Sequence, residues 1–198
     1  MVPQNYEYIV ALVAGLFLAV AQTIYIVQVY RKQITPSLFT WLGWAILVGV
    51  SLYAQLMEYG WNWSMIGHLS SFLGCTAIFI AALLSGHYLI VKKDWIFLYT
   101  GFACIALYAV FTDPWSTTIF AVTADAVLGM PTILKAIKNP KMEKTIGWNI
   151  ALGCWTLTLV TCWDKSALFA IFPAYCFVFN VTMSYLTTNK RVRQSLPG

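Results

Sequence analysis

Seven long apolar stretches divide this 198-residue chain, and they constrain its fold more than any other feature. They cover residues 8–30, 38–56, 65–91, 95–111, 117–137, 146–162 and 168–186. Each is close to the ~20 residues that an α-helix needs to cross a bilayer, whereas a membrane-crossing strand needs about half as many. Only 10% of the residues are charged, compared with ~25% in soluble domains. The sequence therefore predicts an all-α membrane protein with seven transmembrane helices.

The basic residues predict how these helices are oriented. With the N-terminus outside, eleven of the twelve lysines and arginines fall on the cytoplasmic side, and only Lys165 falls outside. Such an excess of positive charge is typical of cytoplasmic loops. Tryptophans mark the outer ends of the stretches, as at a membrane interface: Trp61, Trp63, Trp115 and Trp163. We therefore expect a cytoplasmic C-terminus, and we attribute the net charge of +5 to membrane topology and not to nucleic-acid binding.

The chain repeats part of its sequence at an offset of 104 residues. The segment "TPSLFTWLGW" at 35–44 aligns with "NPKMEKTIGW" at 139–148. The aligned identities are Pro36 with Pro140, Gly43 with Gly147, and Trp44 with Trp148. Thr35 and Asn139 are predicted to cap the second and sixth helices, each followed by a proline at the first helical position.

The same offset superimposes the first three stretches on the last three. Four crossings separate the two copies, so both halves face the same way. We predict two parallel three-helix repeats joined by a linker helix, a 3+1+3 arrangement. The predicted units are the first repeat at 1–91, the linker at 92–112, the second repeat at 113–188 and a cytoplasmic tail at 189–198.

The 3+1+3 order and the segment "VQVYRKQITPSLFTWLGW" resemble the SWEET/PQ-loop superfamily of transporters. That family carries a Pro-Gln pair in its repeats, and the equivalent positions here hold Val27-Gln28 and Pro131-Thr132. The segment "ADAVLGMPT" is similar to one in uncharacterised bacterial SWEET-like proteins, and "WLGW" resembles the Trp-x-x-Trp signature of PnuC-type vitamin transporters. The resemblance implies a transporter of the bacterial inner membrane, with Pro131 and Gln28 at a gate or hinge.

Polar side chains at mid-membrane depth form the candidate substrate site. Gln22, Asp125 and Asn180 lie nine or ten residues before a basic helix end, which is ~14–15 Å at 1.5 Å per residue. Three further residues reach the same layer from the cytoplasmic side: Trp44, Trp148 and Asn149. Transporters with internal repeats bind their substrates at this depth. Each of these residues also has a purely structural interpretation, as a packing or helix-to-helix hydrogen-bonding group.

Asp125 carries the strongest functional signal because it is the one carboxylate deep within a predicted helix. It is predicted to bind the cationic part of a substrate or to carry a coupling proton. We expect a uniporter or proton-coupled transporter of a small polar or cationic solute, acting by alternating access. The alternative is a ligand- or cargo-binding membrane receptor on the same fold, without transport.

The sequence contains no pattern that indicates an enzyme. Its five cysteines lack metal-ligand spacing, and no phosphate-binding loop, zinc motif or nucleophile elbow is present. We expect no cofactor, no metal and no nucleic acid. The expected partners are a small-molecule substrate and the lipid bilayer, and self-association into a homo-oligomer is left open. His68 is expected to be a packed histidine.

Overall fold

The computed structural model describes residues 4–61, 63–111, 113–162 and 167–188, and over these residues it is all-helical. Its α-helices are α1 (Gln4–Tyr30), α2 (Leu38–Tyr59), α3 (Ile66–Ser85), α4 (Asp94–Val110), α5 (Pro114–Lys138), α6 (Gly147–Thr161) and α7 (Ala167–Thr188). Short 3₁₀ turns at Trp63–Met65 and Pro140–Glu143 precede α3 and α6. The prediction of seven helices is confirmed for the part of the chain described.

Within the part of the chain that the structure describes, four helices are long and apolar enough to cross a membrane. Their spans are Tyr6–Tyr30, Ile66–Ser85, Pro114–Lys138 and Ala170–Thr188, in α1, α3, α5 and α7. Shorter apolar segments occur in α2 and α4, at Leu38–Tyr53 and Asp94–Leu107. The predicted cytoplasmic tail and several residues used for the orientation lie outside the described residues: Trp163, Lys165, Lys190, Arg191 and Arg193.

The sequence predicted a helix over the whole third apolar stretch, at 65–91, but the helix in the structure is shorter. α3 ends at Ser85, because Gly86 adopts a left-handed conformation (φ 62°) and its N–H bonds back to the carbonyl of Leu83. Beyond it, Leu89 pairs with the segment that leads into α2. Its N–H donates to the Pro36 carbonyl at 2.9 Å, and its own carbonyl accepts from the Leu38 N–H at 3.2 Å.

The predicted starts of the second and sixth helices also need correction. Thr35 does not cap α2, since its hydroxyl lies 3.0 Å from Nε2 of His87 and α2 begins only at Leu38. Asn139 does accept from the Lys141 N–H, but it caps the 3₁₀ turn and not α6. Both differences have one cause: the residues that follow each proline make tertiary contacts before the helix begins.

We call α1–α3 the first half and α5–α7 the second half. The contacts between helices follow the same pattern within each half. α3 packs against both α1 and α2, and α7 packs against both α5 and α6. Between the halves, α1 packs on α6 and α2 packs on α5. The offset of 104 residues relates α1 to α5 and α2 to α6, so it exchanges these two contacts. α4 packs on α5 and α2.

The repeated glycines lie at the contacts between the halves. A Cβ added to Gly43 would overlap the side chain of Leu128, where α2 meets α5. A Cβ added to Gly147 would lie 2.9 Å from the backbone oxygen of Ala21, where α6 meets α1. Glycine at both positions lets the helices of opposite halves approach closely, which explains its place in the repeat.

The start of α5 provides a local test of the fold. The Asp113 carboxylate accepts hydrogen bonds from the N–H groups of Trp115 and Ser116, and its interactions with Ser116 lower its pKa below the ordinary aspartate value. Asp113→Ala should speed hydrogen exchange in the first turn of α5, whereas Asp113→Asn, which still accepts, should change it little. Because the folded pKa is lowered, the cap should be fully formed at neutral pH and lost as the pH falls through that pKa. Equal exchange in both variants would contradict this role.

Candidate functional site

A cavity of about 90 Å³ lies between the two halves of the helical assembly. Helices α1, α2 and α3 line it from one side, and α5, α6 and α7 from the other. Five of the six predicted substrate-binding residues contribute to its wall: Gln22, Trp44, Asp125, Trp148 and Asn180. The structure thus brings together side chains that are separated by up to 158 residues in the sequence.

Asn149 does not belong to this group. Its side chain is exposed, and its Oδ1 accepts a hydrogen bond from the hydroxyl of Ser184. Successive residues of an α-helix point about 100° apart, so Asn149 faces away from the wall that its neighbour Trp148 forms. Its depth was predicted from the sequence, but its direction was not.

Five aromatic rings form a closed series of contacts in the cavity wall, which we call the aromatic cluster. Its members are Tyr25, Trp41, Trp44, Phe179 and Trp148. Successive ring centroids are 4.8, 5.1, 5.3 and 6.1 Å apart, and Trp148 returns to Tyr25 at 5.8 Å. α1 and α2 supply three of the rings, and α6 and α7 supply two. The cluster therefore spans both halves.

Asp125 is the acidic group of the cavity wall, and it is only 8% exposed. The Tyr175 hydroxyl donates to its Oδ2 at 2.7 Å, and Trp44 Nε1 donates to its backbone oxygen at 3.2 Å. None of the described residues that line the cavity is a lysine or arginine. The cavity thus contains a carboxyl group with hydrogen-bond donors but without a basic side chain beside it.

The two amides of the wall are held differently. Gln22 Nε2 lies 3.5 Å from the carbonyl of Ser71, and a Cβ on Gly74 would overlap the Gln22 side chain, so Gly74 makes room for the amide. Asn180 Nδ2 donates to the carbonyl of Cys176 one turn earlier, at 2.8 Å. The orientation of Gln22 is therefore set by the backbone of α3, and that of Asn180 by the backbone of its own helix, α7.

A buried ion pair lies near the cavity, and the sequence analysis missed it. Lys135 Nζ and Glu143 Oε1 are 2.6 Å apart, and the Glu143 side chain is fully buried. The Tyr25 hydroxyl donates to Glu143 Oε2 at 2.7 Å, and Trp148 Nε1 donates to the Glu143 backbone oxygen at 3.1 Å. Lys135 had been interpreted only as a topological charge. No local pattern in the sequence pairs it with Glu143.

The two predicted gate residues are outside the cavity wall. Pro131 is buried within α5, six residues beyond Asp125. Gln28 is half-buried in α1, and within the described ranges its Oε1 has no hydrogen-bond partner. Their role as a gate or hinge stays a prediction. His68 packs its ring against Phe172, with centroids 5.8 Å apart.

The described residues contain no group of three or more histidine, cysteine or acidic side chains able to hold a metal ion. Comparison with protein-family models, with curated proteins and with solved structures finds no match for this chain. The similarity to SWEET/PQ-loop and PnuC-type proteins therefore stays a prediction from the sequence.

Proposed function

We propose that this chain is an integral membrane transporter for a small polar solute, with a cation as the favoured substrate. In this proposal all seven helices cross the bilayer, the bacterial inner membrane, as two parallel three-helix repeats joined by α4. The exchange of the α1–α6 and α2–α5 contacts by the repeat offset supports this arrangement. Sites at the interface of such repeats are typical of transporters.

The cavity itself is the observation that carries the proposal. Burying a carboxylate at mid-membrane depth costs free energy unless the group is protonated, wetted or paired. The aromatic cluster lines the same cavity as Asp125, and a cation over the face of such a ring gains ~0.5–2 kcal/mol. With no lysine or arginine in the described cavity wall, a substrate cation supplies the missing partner.

The proposal requires the cavity to open alternately to the two sides of the membrane. The ion pair of Lys135 and Glu143 lies between the cavity and the end of α5, on the side assigned to the cytoplasm. We place the inner gate here, with Pro131 as the point where α5 bends, because proline removes a backbone hydrogen bond. Gln28, the other predicted gate residue, lies in α1 at the position that the repeat offset aligns with Thr132, the residue after Pro131.

The function is tested in two steps with the purified chain. Thermal-shift measurements across organic cations, sugars, vitamins and amino acids identify a ligand, and we expect small organic cations to raise the melting temperature most. Uptake of that ligand into proteoliposomes should be saturable and should vanish in protein-free liposomes. Saturable binding without uptake would instead support the receptor alternative.

The membrane topology is a separate prediction. Single cysteines at Asp113 and Lys141, in a background with the five native cysteines replaced by alanine, should react with an impermeant maleimide from opposite faces. Asp113 should label from outside and Lys141 only after permeabilisation, because an odd number of crossings separates them. Both sites are exposed, so burial does not prevent labelling. Labelling of both from one face would contradict the seven-crossing arrangement.

A further inference from the structure

The buried ion pair belongs to a larger set of contacts that joins the two halves, which we call the cytoplasmic clamp. Lys135 donates to the carbonyl of Thr35, in the connection between α1 and α2. The Thr35 N–H in turn donates to the carbonyl of Met142 at 2.8 Å. With the bond from Tyr25 to Glu143, three hydrogen bonds tie the first half to the end of α5 and the turn that follows it.

The clamp and the cavity share two side chains. Tyr25 and Trp148 both line the cavity, and both donate hydrogen bonds to Glu143, Tyr25 to its carboxylate and Trp148 to its backbone oxygen. One comes from α1 and the other from α6, so Glu143 holds a wall residue from each half. A displacement of Glu143 therefore removes hydrogen bonds from two of the five members of the aromatic cluster.

Three buried hydroxyl groups near the same end add a cost to the closed arrangement. Ser37, Thr40 and Thr132 are buried, and their hydroxyl oxygens have no hydrogen-bond partner among the described residues. Burying a polar group without a partner costs free energy. Water entering between α2 and α5 would satisfy these groups. The closed state therefore carries a penalty that an open, hydrated state would relieve.

The ion pair opposes this tendency to open. Removing one member of a buried pair leaves the other charge uncompensated, which strongly disfavours the closed state. Lys135 lies in the last turn of α5, so its long side chain reaches water once the end of the helix moves. Loss of the pair should therefore open the clamp and leave the rest of the helical assembly in place.

We infer that Glu143 is a positioning residue that couples the shape of the cavity to the closure of the cytoplasmic end. Through Lys135 it keeps the clamp shut, and through Tyr25 and Trp148 it fixes part of the aromatic cluster. Opening of the clamp and rearrangement of the cavity wall are then one event. This inference rests on the proposed function, for which it supplies the device that links substrate site and gate.

The experiment compares matched variants of the purified full chain with two independent readouts. Amide hydrogen exchange at Thr35 reports the clamp, since this N–H bonds across the halves. Near-ultraviolet circular dichroism reports the fixed packing of the aromatic rings. The variants are Glu143→Gln and Lys135→Gln. Lys138→Gln is the control, because it removes an exposed lysine of the same helix end.

We expect Glu143→Gln and Lys135→Gln to speed exchange at Thr35 at least tenfold and to change the aromatic dichroism together with it. Lys138→Gln should match the wild type in both readouts. Tyr25→Phe keeps the ring but removes its hydroxyl, so it should raise exchange by a smaller factor and also change the dichroism. This third variant keeps the test open if Glu143→Gln does not fold.

Two results would overturn the inference. One is faster exchange at Thr35 with unchanged dichroism, which would show a clamp without coupling to the cavity. The other is exchange at the wild-type rate in both ion-pair variants.

Neither readout depends on transport. If the wild type takes up the ligand and either of these results is found, the coupling through Glu143 is rejected and the transport function is retained. If exchange at Thr35 and the aromatic dichroism change together but the wild type shows no uptake, Glu143 still couples the clamp to the cavity, and the transport function is rejected in favour of a binding protein.

Discussion

Asp125→Asn is expected to weaken the binding of a cationic substrate by about 30-fold or more, because removing one partner of a buried charge pair costs ~2–5 kcal/mol. The variant keeps the size of the side chain, and its amide oxygen still accepts from the Tyr175 hydroxyl. The cavity should therefore retain its shape and lose only the negative charge. Binding titrations and proteoliposome uptake of the ligand identified by thermal shift measure the effect.

The second role predicted for Asp125, as carrier of a coupling proton, gives a different result in the same variant. Asparagine should then leave binding and exchange intact but abolish accumulation driven by a pH gradient. Asp94→Asn is the matched control, since Asp94 is also a buried aspartate but its carboxylate accepts from the Val91 N–H outside the cavity. Binding, exchange and pH dependence all near wild type in Asp125→Asn would remove Asp125 from the site.

Gly147→Ala is expected to destabilise the folded chain by ~1–3 kcal/mol, the usual cost of overpacking a close contact. The added methyl group would meet the backbone oxygen of Ala21 at 2.9 Å, and a backbone group moves only if α1 moves. Intrinsic helix propensity acts in the opposite direction, since alanine is favoured over glycine by up to ~1 kcal/mol. A net loss of stability therefore reports the contact between α6 and α1.

Gly67→Ala separates these two contributions. Gly67 is the second residue of α3 and Gly147 is the first of α6. No atom of the described residues lies within 4 Å of a Cβ added to Gly67. It should keep or raise the melting temperature in detergent, while Gly147→Ala lowers it. Equal melting temperatures for the two variants would mean that the halves do not approach as closely as the structure shows.

The lengths and order of the helices could be read from the sequence, because hydropathy records which runs are apolar and an α-helix rises a constant distance per residue. Hydropathy does not show where a helix ends within an apolar stretch. Leu89 is apolar like its neighbours in α3, yet it pairs through its backbone with Pro36 and Leu38. That end of α3 depends on Gly86 and on a segment about 50 residues earlier in the chain.

The glycines and tryptophans repeated in the sequence have structural positions that go beyond the starts of two helices. Gly43 and Gly147 lie where the halves meet, and Trp44 and Trp148 line the cavity between them. The alignment alone could not assign these roles, since a helical glycine can also lie away from every described neighbour, as Gly67 does. Only the position of the opposite helix distinguishes the two.

The sequence by itself determined that Gln22, Asp125 and Asn180 belong to one layer, since counting residues from the basic helix ends placed them together and all three line the cavity. Tertiary structure decided which side chains of that layer face the cavity, and it turned Asn149 away. It also decided the partners: Tyr175 is 50 residues from Asp125, and Tyr25 is 118 residues from Glu143. Depth follows from the regular rise of a helix, whereas facing and pairing depend on how separate helices pack, which no local pattern encodes.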